Sequence, residues 1–297
     1  MKVTIIGLGL IGGSIAIDLR KAGVATSLNG VDANEKNAKE ALQLGLVDQI
    51  GSLPEMLVEA DVVILAIPVN VLTRLLPEVL DIITATTIVI DAGSTKGSIC
   101  KAVQSHKRRN QFVAAHPIAG TENSGPSAAF SGLFQGKTNI ICEKSKSSEH
   151  AMKIAMRVFE ALGMNTIFME ADEHDKHVAY VSHLSHVSAF LLGQTVLDIE
   201  KDEKNIAMLA GSGFASTVRL AKSSPDMWAP IFEQNMEYLS QALQEYIIHL
   251  QRFQYHLLKR DSTQLHKTMT EANSIRRILE GIETKNTTAQ TKKTITA

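Results

Sequence analysis

Near its start the chain carries Gly7-Leu8-Gly9-Leu10-Ile11-Gly12, the spacing GxGxxG. Placed between a strand and a helix, this spacing is built for a dinucleotide. Gly7 permits the tight turn, Gly9 lets a pyrophosphate approach the backbone, and Gly12 lets helix and strand pack closely. The phosphates then lie at the opening of a helix through Leu10 and Ile11, where free amides and the helix dipole favour anions. Asp32 comes about 20 residues later, where an acid accepts hydrogen bonds from the adenosine ribose hydroxyls. Ala33, Asn34 and Glu35 come next, with no immediate cation to hold a 2′-phosphate. NAD is therefore expected over NADP.

The other chemically able residues fall where strands should end. In a parallel sheet, ligands bind outside the carboxyl ends of the strands. Ile67-Pro68, Asp91-Ala92-Gly93-Ser94-Thr95-Lys96-Gly97 and His116-Pro117-Ile118-Ala119-Gly120-Thr121-Glu122 all occupy such ends. Ile67 and Pro68 are expected to border the cofactor. His116 comes directly after an apolar run, so its ring is expected to face the nicotinamide crevice. There a neutral imidazole is a base suited to pH 7. A structural histidine is the alternative. From the residues alone, Ser94 reads first as a cap of the helix after it. Arg219 lies on a helix, as a ligand for an anion or as a surface arginine. The pairs His174/His177 and His183/His186 have zinc-like spacing, but no clear set of further ligands accompanies them, and no metal is expected. Trp228, the single tryptophan, reads as packing.

Alternating elements must position these residues. Largely apolar runs at 3–6, 61–67, 87–90, 112–115, 138–142 and 166–168 read as strands, and Asn29-Gly30-Val31-Asp32 closes another. Helical patterns between them cover 11–22, 35–44, 69–83, 96–106 and 149–162, with Pro77 able to open a separate segment. Runs apolar throughout are buried on both faces, which implies a mostly parallel, doubly wound sheet. After about residue 170, helical periodicity dominates. The expected helices start at Glu173 with Asp172 as cap, then cover 206–210, 216–221, 227–258 and 261–283. Pro230 fits the first turn of the 227–258 helix or marks its true start. The expected organisation is an α/β N-terminal Rossmann domain over 1–170, an all-α C-terminal domain over 171–283, and a disordered polar tail over 284–297.

Composition narrows the class. The 297 residues carry a net charge of -1, with 44% hydrophobic and 21% charged residues. That is globular composition, without the basic excess of a nucleic-acid or membrane-surface protein. No apolar run approaches the roughly 20 residues of a membrane span. The apolar start reads as a glycine loop and helix rather than a signal peptide. Cys100 and Cys142 form no motif and fit packed thiols in a reducing cytoplasm.

From residue 2 to about 283 the chain resembles the prephenate dehydrogenase family. The resemblance rests on the Gly7–Gly12 loop, the Asp91–Gly97 and His116–Glu122 segments, Ser182-His183-Leu184-Ser185-His186, and Gly211-Ser212-Gly213-Phe214 followed by Arg219 and Trp228. Ser185 and Ser212 depart from the family, which often has proline and glycine there. The resemblance implies oxidative decarboxylation of prephenate to 4-hydroxyphenylpyruvate with reduction of NAD, in tyrosine biosynthesis. It implies His116 as the base for the ring hydroxyl, with Ser94 orienting that hydroxyl. It implies Arg219 on the ring carboxylate, His186 at the pyruvyl side chain, and Glu122 ordering the substrate mouth or a subunit contact. It also implies a homodimer through the helical domain. No residues remain for the C-terminal regulatory domain that some relatives carry, so inhibition by tyrosine is expected to compete with prephenate. Arogenate as substrate, a non-catalytic NAD-binding redox sensor, and a reductase acting on a hydroxy acid or an imine stay open. Against the last, Lys176 and Lys222 sit in no matching motif.

Overall fold

The computed structural model describes residues 1–201 and 205–281. The tail expected at 284–297 lies outside them, as does the end of the last expected helix. The chain forms two compact units, the first Met1–Met236 and the second beginning at Glu237.

The first unit is built on eight strands. They are β1 (Lys2–Ile6), β2 (Ser27–Val31), β3 (Gln49–Ile50), β4 (Val62–Leu65), β5 (Ile88–Asp91), β6 (Phe112–Pro117), β7 (Thr138–Cys142) and β8 (Asn165–Met169), in the order β3-β2-β1-β4-β5-β6-β7-β8. Every pairing is parallel except β6 with β7. The alternation of strand side chains divides the core in two. Val3, Ile5, Val62, Ile64, Ile88 and Ile90 point into one apolar layer. Ile6, Val63, Leu65, Val89, Phe112 and Ala114 point into the other. The first layer is closed by α1 (Leu10–Lys21), α2 (Glu35–Gln43) and α6 (Glu149–Ala161). The second is closed by α3 (Leu53–Leu57), α4 (Val69–Ile82) and α5 (Gly97–Ala102). Helices on both faces of a mostly parallel sheet make this a doubly wound Rossmann fold.

The remaining helices of this unit are α7 (Ala171–Val178), α8 (Leu184–Glu200), α9 (Ser212–Val218) and α10 (Pro225–Gln234). A π-helical turn, Ala179–His183, joins α7 to α8. Such turns insert a residue into the helical phase and recur at functional sites. Ala171 of α7 and Trp228 and Ile231 of α10 are buried in the second apolar layer. The second unit contains α11 (Met236–Leu258, almost all of it) and α12 (Ser262–Ala272), whose N-cap Asp261 accepts a hydrogen bond from the Gln264 amide.

Several element boundaries differ from expectation. Pro77 opens no new segment; α4 runs through it, held by the buried Leu72, Leu76, Val79 and Leu80. The helix after Lys96 stops at Ala102, where Val103 leaves helical geometry with φ -119 and ψ 10. Glu170, not Asp172, is the N-cap of α7. The expected helix over 216–221 begins earlier, at Ser212, and tightens to a 3-10 turn from Arg219. The single helix expected over 227–258 is two. Pro225 opens α10, Pro230 lies inside it, and the break falls at Asn235, with φ -109 and ψ 29. Asn235 leaves the helix because its side chain is bound elsewhere, to the Asp175 carbonyl and the His183 ring.

Candidate active site

Gly7 leaves β1 with φ 94, and its amide donates to the Val31 carbonyl at 2.8 Å. A Cβ there would fall 2.3 Å from the Ala66 carbonyl oxygen and 2.8 Å from the Ile67 side chain. A Cβ on Gly12 would fall 1.9 Å from the Gly7 carbonyl oxygen, so helix and turn meet only through glycine. Gly9, by contrast, faces open space: a Cβ there would come no closer than 3.9 Å, to the Gly125 nitrogen. Gly9 is also the N-cap of α1, which has no side-chain cap. The amides of the first turn, at Leu10 and Ile11, therefore face that space with the helix dipole behind them. Asp32, just past β2, accepts from the Leu8 and Asn34 amides, each at 2.8 Å. Those bonds hold the carboxylate at the loop, and its remaining lone pairs can take two ribose hydroxyls. Pro68, exposed, is the N-cap of α4. Gly7, Gly9, Leu10, Ile11, Gly12, Asp32 and Ile67 are thus gathered around one opening, and the residues present fit a dinucleotide.

The ends of β5 and β6 are bolted together behind that opening. Asp91 accepts from the Ala115 amide at 2.9 Å and the Gly93 amide at 2.9 Å. Lys96, fully buried, donates to Asp91 and to the Ala115 carbonyl at 2.7 Å. Thr95 donates to Gln234 at 2.8 Å, and Gln234 in turn to Thr73 at 3.1 Å. Ser94, half-buried, lies between these anchored neighbours. It does not cap the helix after it. The Lys96 and Gly97 amides go instead to the two Asp175 carboxylate oxygens, each at 2.7 Å.

His116 sits inside β6 opposite Ile140 of β7, one residue beyond the Ala115 that Asp91 pins. Its Nδ1 is 2.8 Å from Nε2 of His174, whose own Nδ1 is 2.8 Å from Asp175. Burial, then His174 and Lys96, hold the His116 ring well below the usual imidazole range. It is a neutral base at pH 7. Burial lowers His174 as well, against the opposing pull of Asp175. His183, 1% exposed, is lowered to about 4, again chiefly by burial.

The anion-binding candidates adjoin. The His186 Nδ1 is 3.0 Å from the Ser182 carbonyl, and its ring stacks on Trp228. Burial lowers His186, and the nearby Arg219 charge adds to the effect. Arg219 stands at the end of α9 with its guanidinium 3.8 Å from the Glu122 carboxylate, both side chains open to solvent. The Trp228 indole nitrogen is buried without an acceptor. Trp228 also packs edge-on to His183 and against Phe232, so it is both core and wall. Among the described residues no group of three or more His, Cys, Asp or Glu could hold a metal.

His116, Ser94, His186, Arg219 and Glu122 are the residues expected from sequence to meet substrate. Lys96, Asp91, Asp175, Asn235 and Gln234 are not among them, and His174 enters only as half of a zinc pair. A lysine within Asp91–Gly97, beside an aspartate that ends an apolar strand, is the signal that could have found the first two. For Asp175 the signal is its adjacency to His174.

Known proteins give the arrangement its family. Residues 15–168 match the family described as "Prephenate dehydrogenase, nucleotide-binding domain", and residues 170–271 match "Prephenate dehydrogenase, dimerization domain". The prephenate dehydrogenase of Lactococcus lactis subsp. cremoris is 31% identical over 282 residues, which are 94% of this chain and 77% of that protein. The crystal structure of prephenate dehydrogenase from A. aeolicus, in complex with hydroxyphenyl propionate and NAD+, superposes with a TM-score of 0.84. Its identity is 30%, covering 94% of this chain and 98% of that one. Synechocystis arogenate dehydrogenase superposes with a TM-score of 0.75 at 29% identity, covering 94% of this chain and 100% of that one. The chain belongs to the prephenate dehydrogenase family and is an NAD-dependent oxidoreductase.

Proposed function

We propose that the protein converts prephenate to 4-hydroxyphenylpyruvate, with His116 as the base at the ring hydroxyl. One observation carries the assignment of the base: an imidazole kept neutral by burial and tied through Nδ1 to His174, near the C-terminal end of β6. Bound NAD supplies the hydride acceptor. His116 takes the hydroxyl proton as the ring carbon is oxidised. Loss of CO2 returns the electron pair of the broken carbon–carbon bond through the ring to that oxygen, which takes a proton back. Ser94 holds the hydroxyl in line with His116. Arg219 forks onto the ring carboxylate, where its benefit is positioning, since stabilising the carboxylate opposes its departure. His186 meets the pyruvyl side chain, and Glu122 steadies Arg219.

The test is NADH formation by the purified protein with prephenate and NAD, repeated with arogenate, with NADP and with His116→Asn. Turnover of prephenate that the variant loses supports the assignment. Turnover of arogenate alone keeps the chemistry and changes the substrate, a preference for which the Synechocystis relative is the precedent. No turnover of either, despite NAD binding, overturns it in favour of an NAD-binding sensor.

Function divides along the chain, with nucleotide binding by 1–170 and substrate binding and homodimerisation by 171–283. The dimer rests on the description of the matched family and on apolar side chains left exposed along α11, among them Ile248, Leu250, Phe253 and Leu257. A cytoplasmic location is supported by two buried, unpaired cysteines, with burial pushing Cys142 up to about 12. No helix among the described residues is long and apolar enough to cross a membrane.

A further inference from the structure

We infer that His174 and Asp175 are positioning residues that fix the tautomer of His116, leaving its Nε2 lone pair bare for the substrate hydroxyl. The inference rests on His116 being the base.

Asp175 is the anchor of this chain of bonds. Its oxygens accept the Lys96 and Gly97 amides, each at 2.7 Å, and it is 5% exposed. A carboxylate accepts and cannot donate. The His174 Nδ1, 2.8 Å from the same Oδ1, must therefore carry a hydrogen. His174 is fully buried and burial keeps it neutral, so its second nitrogen, Nε2, carries only a lone pair. That lone pair lies 2.8 Å from His116 Nδ1. Two ring nitrogens at this separation share one hydrogen, and His116 is the partner left to supply it. A neutral His116 with its hydrogen on Nδ1 has a bare Nε2. The rings meet at 65° with centroids 5.0 Å apart. Asp91 and Lys96 hold the Ala115 amide and carbonyl just before His116, so the backbone cannot swing to release the bond.

The same bonds serve the charged state. When Nε2 takes the hydroxyl proton, the Nδ1 hydrogen is already directed at His174, and it can pass to His174 Nε2. The positive charge then rests on a ring bonded to Asp175. The reverse transfer returns one proton to the product oxygen, with none gained or lost. Other groups oppose or share this charge. A charged His174, Lys96 (itself paired with Asp91) and His183 all disfavour protonation of His116, so the two rings carry one positive charge between them, with Asp175 as the counter-charge along the relay. The logic matches that of a serine-protease triad, where a buried carboxylate orients a histidine and stabilises its cation.

The experiment uses the full chain with NAD and prephenate. His174→Phe fills the space and removes the acceptor; His174→Gln restores an acceptor that cannot take on the proton. His174→Phe is expected to lower kcat by roughly 10²-fold, the low end of what proton transfer by a positioned group contributes. KM and NAD affinity should hold. His174 opposes a charged His116 only when it is itself charged, and burial keeps it neutral. Its removal therefore costs protonated His116 an acceptor, and the acid limb of the kcat/KM profile should move to lower pH. His174→Gln should recover part of kcat. A folded His174→Phe with wild-type kcat and pH profile overturns the relay while a dead His116→Asn keeps the base. Loss of kcat together with NAD affinity also overturns it, in favour of a purely structural role. An active His116→Asn defeats the base assignment itself. Nitrogen-15 shifts of the His116 ring in the NAD-bound wild-type protein need no variant. A protonated Nδ1 and bare Nε2 are expected, and the opposite tautomer overturns the inference.

Discussion

The Trp228 indole lies almost flat on the His186 imidazole, with centroids 3.5 Å apart and planes 25° apart. With the Ser182 carbonyl accepting at Nδ1, the stack leaves His186 one free nitrogen in one orientation. Aromatic pairs of this kind contribute about 0.5–1.5 kcal/mol beyond burial. If that rigidity serves substrate binding, Trp228→Phe should raise the prephenate KM roughly 2- to 10-fold, with kcat nearly constant. Initial-rate kinetics checks it, and a change in kcat alone would detach Trp228 from binding.

The Lys96–Asp91 pair is sealed from solvent, at 0% side-chain exposure for both. Removing one member of such a pair strands the other charge in the core and costs about 3–5 kcal/mol. Lys96→Met should lower the denaturant midpoint accordingly. Lys96→Met combined with Asp91→Asn should cost less than the two single changes summed, because the stranded charge is gone. Full additivity in the melts would mean the pair is not coupled.

How much of this site is legible in the sequence depends on how far apart the partners lie. The Gly7–Gly12 loop is local: turn, cradle and helix start are consecutive residues, so spacing alone carries its geometry. His116 is legible as a candidate because it follows an apolar run that reads as a strand, although that strand continues through it to Pro117. The relay is not, because Asp175 meets Lys96 from 79 residues away and Asn235 meets Asp175 from 60. Only the docking of α7 and α10 on the sheet creates those bonds. The same bonds explain two misread elements. Ser94 resembles a helix cap, yet Asp175 arrives from outside to take the amides. Residues 227–258 keep helical periodicity throughout, yet Asn235 turns aside to serve His183, and the helix breaks there. The π turn that ends at His183 likewise leaves no periodic trace in so short a stretch.

His183 makes stability depend on pH. Its proton affinity is lowered in the folded state to about 4, against 6.5 for an ordinary imidazole. Between those values the unfolded chain binds the proton and the folded chain does not, so acid favours unfolding. The contribution is whole above about pH 6.5 and is lost as pH falls toward 4, for a total on the order of 3 kcal/mol. Urea melts from pH 7.5 to 4.5 should show this decline, and His183→Gln should make it shallower, with the lowered His116 and His174 accounting for what remains. An equally steep decline in that variant would place the effect in other groups.

Arg219 and Glu122 separate function from stability. Their charges are 3.8 Å apart, with side chains 56% and 37% exposed. Exposed pairs of this kind contribute about 0–1 kcal/mol, so Arg219→Ala should leave the melting transition nearly unchanged. The same change removes a charge-assisted hydrogen bond to a substrate carboxylate, worth about 1.5–3 kcal/mol. KM for prephenate should therefore rise roughly 10- to 150-fold. Arg219→Lys keeps the charge but not the planar fork, and should recover only part of that loss. Glu122→Gln should have the smaller effect, since in the proposed function Glu122 acts on substrate through Arg219, 3.8 Å away. Increased ionic strength should weaken prephenate binding to wild type more than to Arg219→Ala, because screening acts on the charge the variant lacks. A variant that melts early and binds prephenate normally would reverse the assignment and make Arg219 a structural residue.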